Sequence, residues 1–407
     1  MQLSLQKALW FCCLIVTAGI SKLTPEPVHH GLVSTSGIVT SYRSPGPVQF
    51  RKQMIAAESF ESVGVFDVNN DRLPDLVSGA FWYEAPGFIR RHYIGQPKRF
   101  GEYYDDFATI PMDVDGDGWM DFITGGWTDT AIYWRKNPGN NKGEWKNTVI
   151  GKTGNVETIR AWDIDGDGTL EIIPNNPGKP LKIFRLTRDP QGKGTGVFQA
   201  HEVWNKQAHG MGFGDMNHDG RGDLILANGW LEAPAKPFTD QWIFHPSFDL
   251  QAASIPIIVK DINGDGKNDF IAGKAHDYGL YWYEQVKDAT NNSTWKKHPV
   301  DLSNSQFHTM EWEDLDNDGT PELITGKRYR AHNSEDPGSA DPYGLYYYQW
   351  NGESFSKQVI SYGQFGEAKG TGIYFQVVDL QNDGKKDIIV AGKDGLYIFY
   401  NEGYQKK

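Results

Sequence analysis

An all-β fold, a β-propeller of seven four-stranded blades, is what this sequence predicts. Three observations predict it: an acidic motif that recurs seven times, four short strands around each copy, and a last copy that lacks its fourth strand. The copies begin at Asp67, Asp113, Asp163, Asp215, Asp261, Asp314 and Asp379, so successive starts lie 46, 50, 52, 46, 53 and 65 residues apart. A period of this length marks a repeat architecture and overrides a domain count taken from 407 residues.

The strands can be read in order around Asp261. Residues 255–259 are a β-rich apolar run, 270–273 a second short strand, 279–284 a third and 295–300 a fourth. Four strands separated by Gly- and Asp-rich turns indicate an antiparallel repeat. Seven such units set radially make a propeller, whereas β-helix repeats are shorter. The last copy supplies strands at 375–378, 388–391 and 396–400, and then the chain ends. Residues 48–55 carry the pattern of the fourth strands at 88–94 and 355–360. They are expected to complete the last blade and remove an open edge. The propeller is therefore assigned to residues 46–404.

Each motif reads Asp-x-(Asp/Asn)-x-Asp and is closed by a further acid. The sets are Asp67, Asn69, Asp71 and Asp75; Asp113, Asp115, Asp117 and Asp121; Asp163, Asp165, Asp167 and Glu171; and Asp215, Asn217, Asp219 and Asp223. The last three are Asp261, Asn263, Asp265 and Asp269; Asp314, Asp316, Asp318 and Glu322; and Asp379, Asp383 and Asp387, where Gln381 breaks the pattern. Alternating carboxylate and amide oxygens can converge on one hard cation, so structural Ca²⁺ is expected in several blades. A Gly after the third acid allows the turn, and the first copy has Arg72 there instead. Neither a Glu at the twelfth position nor flanking helices are present, so these are not EF-hands. The competing reading is a set of solvated surface turns.

Residues 9–20 are apolar and follow Lys7, a stretch too short to span a membrane. They read as the core of a signal peptide at 1–22, followed by an extension at 23–45, which predicts a secreted or periplasmic protein. Cys12 and Cys13 both fall in this leader, so no disulfide or thiolate ligand is expected beyond it. The residues around Cys12 make a poor lipobox. A formal net charge of −12 argues against a nucleic-acid partner, and much of that acid is committed to the seven turns.

The acidic turn joins the first two strands of each blade, so the start of the first and the end of the second meet at the opposite face. Strand starts fall near Glu61, Phe107, Glu157, His209, Ile255, His308 and Ile373. Second-strand ends fall near Trp82, Trp127, Asn176, Trp230, His276, Arg328 and Lys393. Together these should line one funnel. His92, His201, His245 and His298 lie in fourth strands, where packing or solvent contact is the plainer role. His209, His276, His308 and His332 map to the funnel from consecutive blades. Imidazoles without thiols suit Zn²⁺, with Fe, Ni or Mn as alternatives, and His209, His276 and His308 are the expected ligands. His332 is a fourth ligand or an acid–base group.

Residues 327–344 form the longest insertion at this face and carry Lys327, Arg328, Arg330, His332 and Asp336. Glu157, Tyr104, His332 and Arg328 are the catalytic candidates. Trp127, Trp230, Asp105, Lys327 and Arg330 are the candidates for holding a carbohydrate, with blade packing as the alternative for each Trp.

The acidic turns resemble the FG-GAP or VCBS-type repeat of integrin-like and secreted bacterial propellers. The phrases at 208–215, 229–234, 279–284, 307–310 and 326–332 narrow the match. They are similar to the propeller domain of fungal aldos-2-ulose dehydratase and its short bacterial relatives. That resemblance implies a central zinc ion that polarises a keto-sugar, such as 1,5-anhydrofructose, for proton loss and hydroxyl elimination. By position, His209, His276 and His308 resemble the zinc-bearing residues. The cupin and lectin domains of the fungal enzyme have no counterpart in these residues. The expected function is thus a zinc-dependent lyase or dehydratase on a keto-sugar. The alternatives are a calcium-stabilised carbohydrate- or protein-binding propeller, or a glycoside hydrolase using Glu61 and Glu157.

Overall fold

A computed structural model describes residues 46–139 and 143–404. The expected leader at 1–22 and the extension at 23–45 lie outside the described residues, as do Cys12 and Cys13. The chain is all-β, and among the described residues one short 3₁₀ turn, Ala331–Ser334, is the helical element. No helix among them is long and apolar enough to cross a membrane.

Each acidic turn sits between two strands of an antiparallel sheet. The sheet around Asp67 runs Gly64–Phe66, Asp75–Ser78, Phe81–Tyr83 and Arg91–Tyr93 in chain order. The same order holds for Ile110–Met112 through Lys146–Lys152, Thr158–Trp162 through Gly194–Trp204, and Met310–Glu313 through Phe355–Gly363. The units around Asp215 and Asp261 join into one eight-stranded sheet, because Met211–Gly214 pairs in parallel with Ile257–Lys260. Gly212 lets these two first strands approach, since a Cβ there would lie 2.3 Å from the Ile257 carbonyl. The three strands around Asp379 gain a fourth from Val48–Ala56, which pairs antiparallel with Leu396–Tyr404.

The turns are built from the motif's own acids. Asp67 accepts the backbone N–H groups of Asp71 and Arg72, and Asp71 accepts that of Leu73. The residue after the third acid is left-handed: φ is 86° at Gly118 and 82° at Gly266, and Arg72 takes 71° without a glycine. The closing acid has a second job. Asp75 is buried and accepts from Val68 and Ala85, and Asp121 accepts from Val114 and Asn137. Burial pushes their carboxyls up, to about 6 and about 7. These acids brace the turn from beneath.

Apolar clusters fill the space between successive sheets. One joins Leu315, Ile324 and Tyr347 to Phe375, Ile388 and Phe399; another joins Val63, Leu76 and Tyr83 to Leu380, Ile389 and Ile398. The first strands are stitched together by Ser62 Oγ to Thr109 Oγ1 at 2.7 Å and by Thr158 Oγ1 donating to the Phe107 carbonyl at 2.8 Å. Arg160 reaches furthest. It donates to Glu311 at 2.9 Å, the Ile255 carbonyl at 2.7 Å and Thr309 Oγ1 at 2.8 Å, with its guanidinium 4.7 Å from the Tyr374 ring. Four first-strand segments distant in sequence are thereby tied to one cation. Replacing Arg160 by Ala leaves the Glu311 carboxylate without its partner. The expected loss is about 3 kcal/mol of stability, read by urea denaturation.

Candidate metal centre

Glu157, His209 and His308 each sit just before a first strand, at Thr158–Trp162, Met211–Gly214 and Met310–Glu313. His276 follows the second strand Asp269–Gly273, so the hairpin returns it to the same end of its sheet. One ring nitrogen from each of His209, His276 and His308 lies within 4.8 Å of the other two. The rings meet edge-on, with centroids 4.7, 5.0 and 5.5 Å apart.

The protons on these rings are fixed by their outer partners. His209 Nδ1 donates to the Ala253 carbonyl at 2.9 Å, and His276 Nδ1 donates to Asp336 Oδ2 at 3.1 Å. Carbonyl and carboxylate oxygens only accept, so both Nδ1 atoms carry hydrogen. The two Nε2 atoms face each other 3.1 Å apart, and when both rings are neutral each presents a lone pair there. His308 is fully buried, and neither of its ring nitrogens has a protein partner. Glu157 Oε2 lies 3.5 Å from His209 Nε2 and 3.9 Å from His308 Nε2.

Burial lowers His276 to about 4, and the neighbouring His209, His332 and Arg328 push the same way. Burial, then Arg328 and His209, hold His308 well below the usual imidazole range. Burial alone would raise Glu157, but His209, Arg328 and His276 outweigh it and bring the carboxyl to about 2. The pocket thus resists protons on His276 and His308 while keeping an anion among the imidazoles. Three imidazole nitrogens and one carboxylate at this spacing fit a divalent ion of the zinc type, with the orphaned His308 nitrogens as the clearest sign.

A cleft of about 270 Å³ opens beside these donors. Phe100, Phe107 and Trp127 form its apolar wall; Tyr103, Glu157, Arg328 and His332 form its polar one. Arg328 is buried and held by Glu61 through two bonds of 2.9 and 3.3 Å. His332 is about half exposed, stacks on His276 at 4.1 Å and donates from Nδ1 to Asp336 Oδ1 at 3.0 Å.

Several expected residues do other work. Tyr104 packs on Phe60 at 4.8 Å, and Tyr103 faces the cleft instead, because neighbours on an extended strand point to opposite sides. Trp230 is buried and stacks on His245 at 4.1 Å; Trp82 does the same with His92 at 4.0 Å. In both units the second turn is tight, so the Trp falls in the third strand, Gly229–Glu232 or Phe81–Tyr83, and packs against an apolar cluster. Asp105 accepts the backbone N–H groups of Thr128 and Asp129, both at 2.9 Å. Lys327 donates to the Gly338 and Asp341 carbonyls, and Arg330 pairs with Glu102 at 2.9 Å. These three shape loops and are absent from the cleft wall. The Glu61–Arg328 pair, Tyr103 and the bridging role of Asp336 were not singled out from sequence. From sequence, Glu61 at a strand start and Arg328 at a second-strand end both map to the funnel, but not as a pair.

An FG-GAP-like repeat model matches residues 113–173 and 261–325, which include four of the seven acidic turns. The chain carries FG-GAP-like repeats. Among solved structures, an Agrocybe aegerita lectin is similar at 18% identity, over 74% of this chain and 80% of that one, with a TM-score of 0.43. That lectin recognises non-reducing terminal N-acetylglucosamine. No curated protein matches the chain.

The loop over the cleft is anchored by Tyr103, whose hydroxyl accepts the Asn333 N–H at 3.0 Å. Tyr103→Phe removes that bond, worth about 1 kcal/mol. Amide exchange at Asn333 should quicken by about fivefold, while the acidic turns keep their rates.

Proposed function

We propose that this protein is a zinc-dependent lyase acting on a keto-sugar or related carbohydrate by α-proton removal and β-elimination. The observation that carries the reading is the pair of Nε2 atoms facing each other at 3.1 Å, beside His308 and a cleft large enough for a monosaccharide. His209, His276 and His308 would hold the ion, with Glu157 as a fourth donor. Zinc bound there supplies Lewis acidity toward a sugar carbonyl.

The remaining roles belong to side chains of the cleft. Trp127, 38% exposed, offers its face to the C–H side of a sugar ring. Arg328, immobilised by Glu61, stabilises an oxygen that gains negative charge. His332 has Nδ1–H committed to Asp336, so Nε2 is the atom that takes the α-proton. The Tyr103 hydroxyl has only a 3.5 Å carbonyl acceptor, at Arg330, and is free to give its proton to the leaving oxygen. The carbon–oxygen bond breaks as the double bond forms, and the hydroxyl departs as water. Burial of Glu61 in its ion pair counts against a hydrolase that pairs Glu61 with Glu157.

The finer fold reading belongs to the same proposal: seven blades in a ring, the last completed by Val48–Ala56, and the resemblance to aldos-2-ulose dehydratase. Ca²⁺ would occupy the acidic turns. Three turns gather their acids most closely: Asp113, Asp115 and Asp121; Asp163, Asp165 and Glu171; and Asp314, Asp316 and Glu322. An extracellular or periplasmic setting would supply the ion. A calcium chelator should then lower the melting temperature by several degrees, and added Ca²⁺ should restore it.

The function is tested with 1,5-anhydrofructose and with uronate oligosaccharides. The expected product is unsaturated and absorbs in the ultraviolet. Its formation should cease when zinc is stripped and in the double variant His209→Ala, His308→Ala. A protein that binds sugar equally well with and without zinc and forms no such product is a binding propeller, and the proposal fails.

A further inference from the structure

Asp336 touches both histidines that matter, and no other carboxylate among the described residues does so. Its Oδ2 accepts from His276 Nδ1 at 3.1 Å and from Gln306 Nε2 at 3.4 Å; its Oδ1 accepts from His332 Nδ1 at 3.0 Å. The two imidazoles stack with centroids 4.1 Å apart and planes 17° from parallel. The Asp336 side chain is only 10% exposed. One carboxylate therefore decides the tautomer of two rings and holds them face to face.

The segment that presents Asp336 does not hold its shape by local preference. Arg330, His332, Asn333 and Ser334 take φ of 52°, 45°, 56° and 68°. Left-handed conformations cost non-glycine residues about 1–2 kcal/mol each. Such a backbone persists only where its surroundings fix it. The fixings are Asn333 to Tyr103, Arg330 to Glu102, Lys327 to the Asp341 carbonyl and Asp336 to the two imidazoles.

We infer that Asp336 is a positioning residue that aims His276 Nε2 at the metal and His332 Nε2 at the cleft, binding one to the other through its two oxygens. The inference rests on the metal reading of the imidazole cluster. A carboxylate behind a ligating imidazole fixes ring orientation and raises its donor strength, and its loss costs about 10- to 100-fold in metal affinity. Here the same group also carries the acid–base imidazole, so ligand and base are set by a single side chain.

Zn²⁺ and Co²⁺ titrations of the full chain test it. Asp336→Ala should weaken Zn²⁺ binding by about 10- to 100-fold and alter the visible absorption of the bound Co²⁺. Asp336→Asn keeps one acceptor oxygen and should fall between. Asp341→Asn loosens the same segment elsewhere, where Asp341 accepts from the Tyr278 hydroxyl, and should stay within about twofold of wild type. Far-ultraviolet circular dichroism confirms that each variant is folded. Unchanged affinity and spectrum in Asp336→Ala overturn the inference while leaving the metal centre intact. So does an equal loss in Asp341→Asn, which would mean mere loosening. Two metal equivalents in wild type, with one lost in Asp336→Ala, would make Asp336 a ligand and also overturn it. A wild-type protein that takes up no ion at the histidines refutes the metal reading itself.

Discussion

Two neutral imidazoles cannot rest with their lone pairs opposed at 3.1 Å unless something positive lies between them. That electrostatic constraint organises this site. The outer bonds of His209 and His276 leave neither ring a hydrogen to offer the other. Burial, and then His209, His332 and Arg328 nearby, disfavour a second proton on His276. A divalent ion would satisfy both rings, the orphaned His308 and the Glu157 carboxylate together. The energetic cost of assembling such a pocket is carried by the sheets, whose apolar clusters hold the strand ends that deliver the four donors.

The antiparallel hairpin converts a sequence repeat into that convergence. An acidic turn at one end of the first two strands forces the preceding and following residues to the other end. Side chains far apart in sequence, such as Glu157 and His308, become neighbours because each stands at the same place in its own unit. Arg160 uses the same geometry to gather Glu311, Thr309 and the Ile255 carbonyl. The repeat supplies the frame, and departures from the repeat supply chemistry: the long insertion after Gly326 brings Arg328 and His332 to the cleft and Asp336 behind His276 and His332.

The legible part of the sequence was what repeats. Strand order around each Asp-rich turn, the pairing of residues 48–56 with the last strand, and the approach of His209, His276 and His308 all follow from period and hairpin topology. What was not legible depends on one-residue register and on side-chain partners. Tyr103 and Tyr104 differ only by which side of a two-residue strand they face. Trp230 looked like a rim residue because the second turn of its unit is shorter than the equivalent turn before His276. Lys327 and Asp105 looked like ligand-binding groups, yet both are spent on backbone groups of neighbouring loops, which sequence spacing does not reveal.

X-ray absorption at the zinc edge on protein purified without added metal tests the central claim most directly. The account predicts about one zinc per chain, with three imidazole nitrogens in its coordination sphere and that signal lost when His276 is replaced. Zinc coordinated by oxygen alone, or no zinc with the histidines intact, would contradict it.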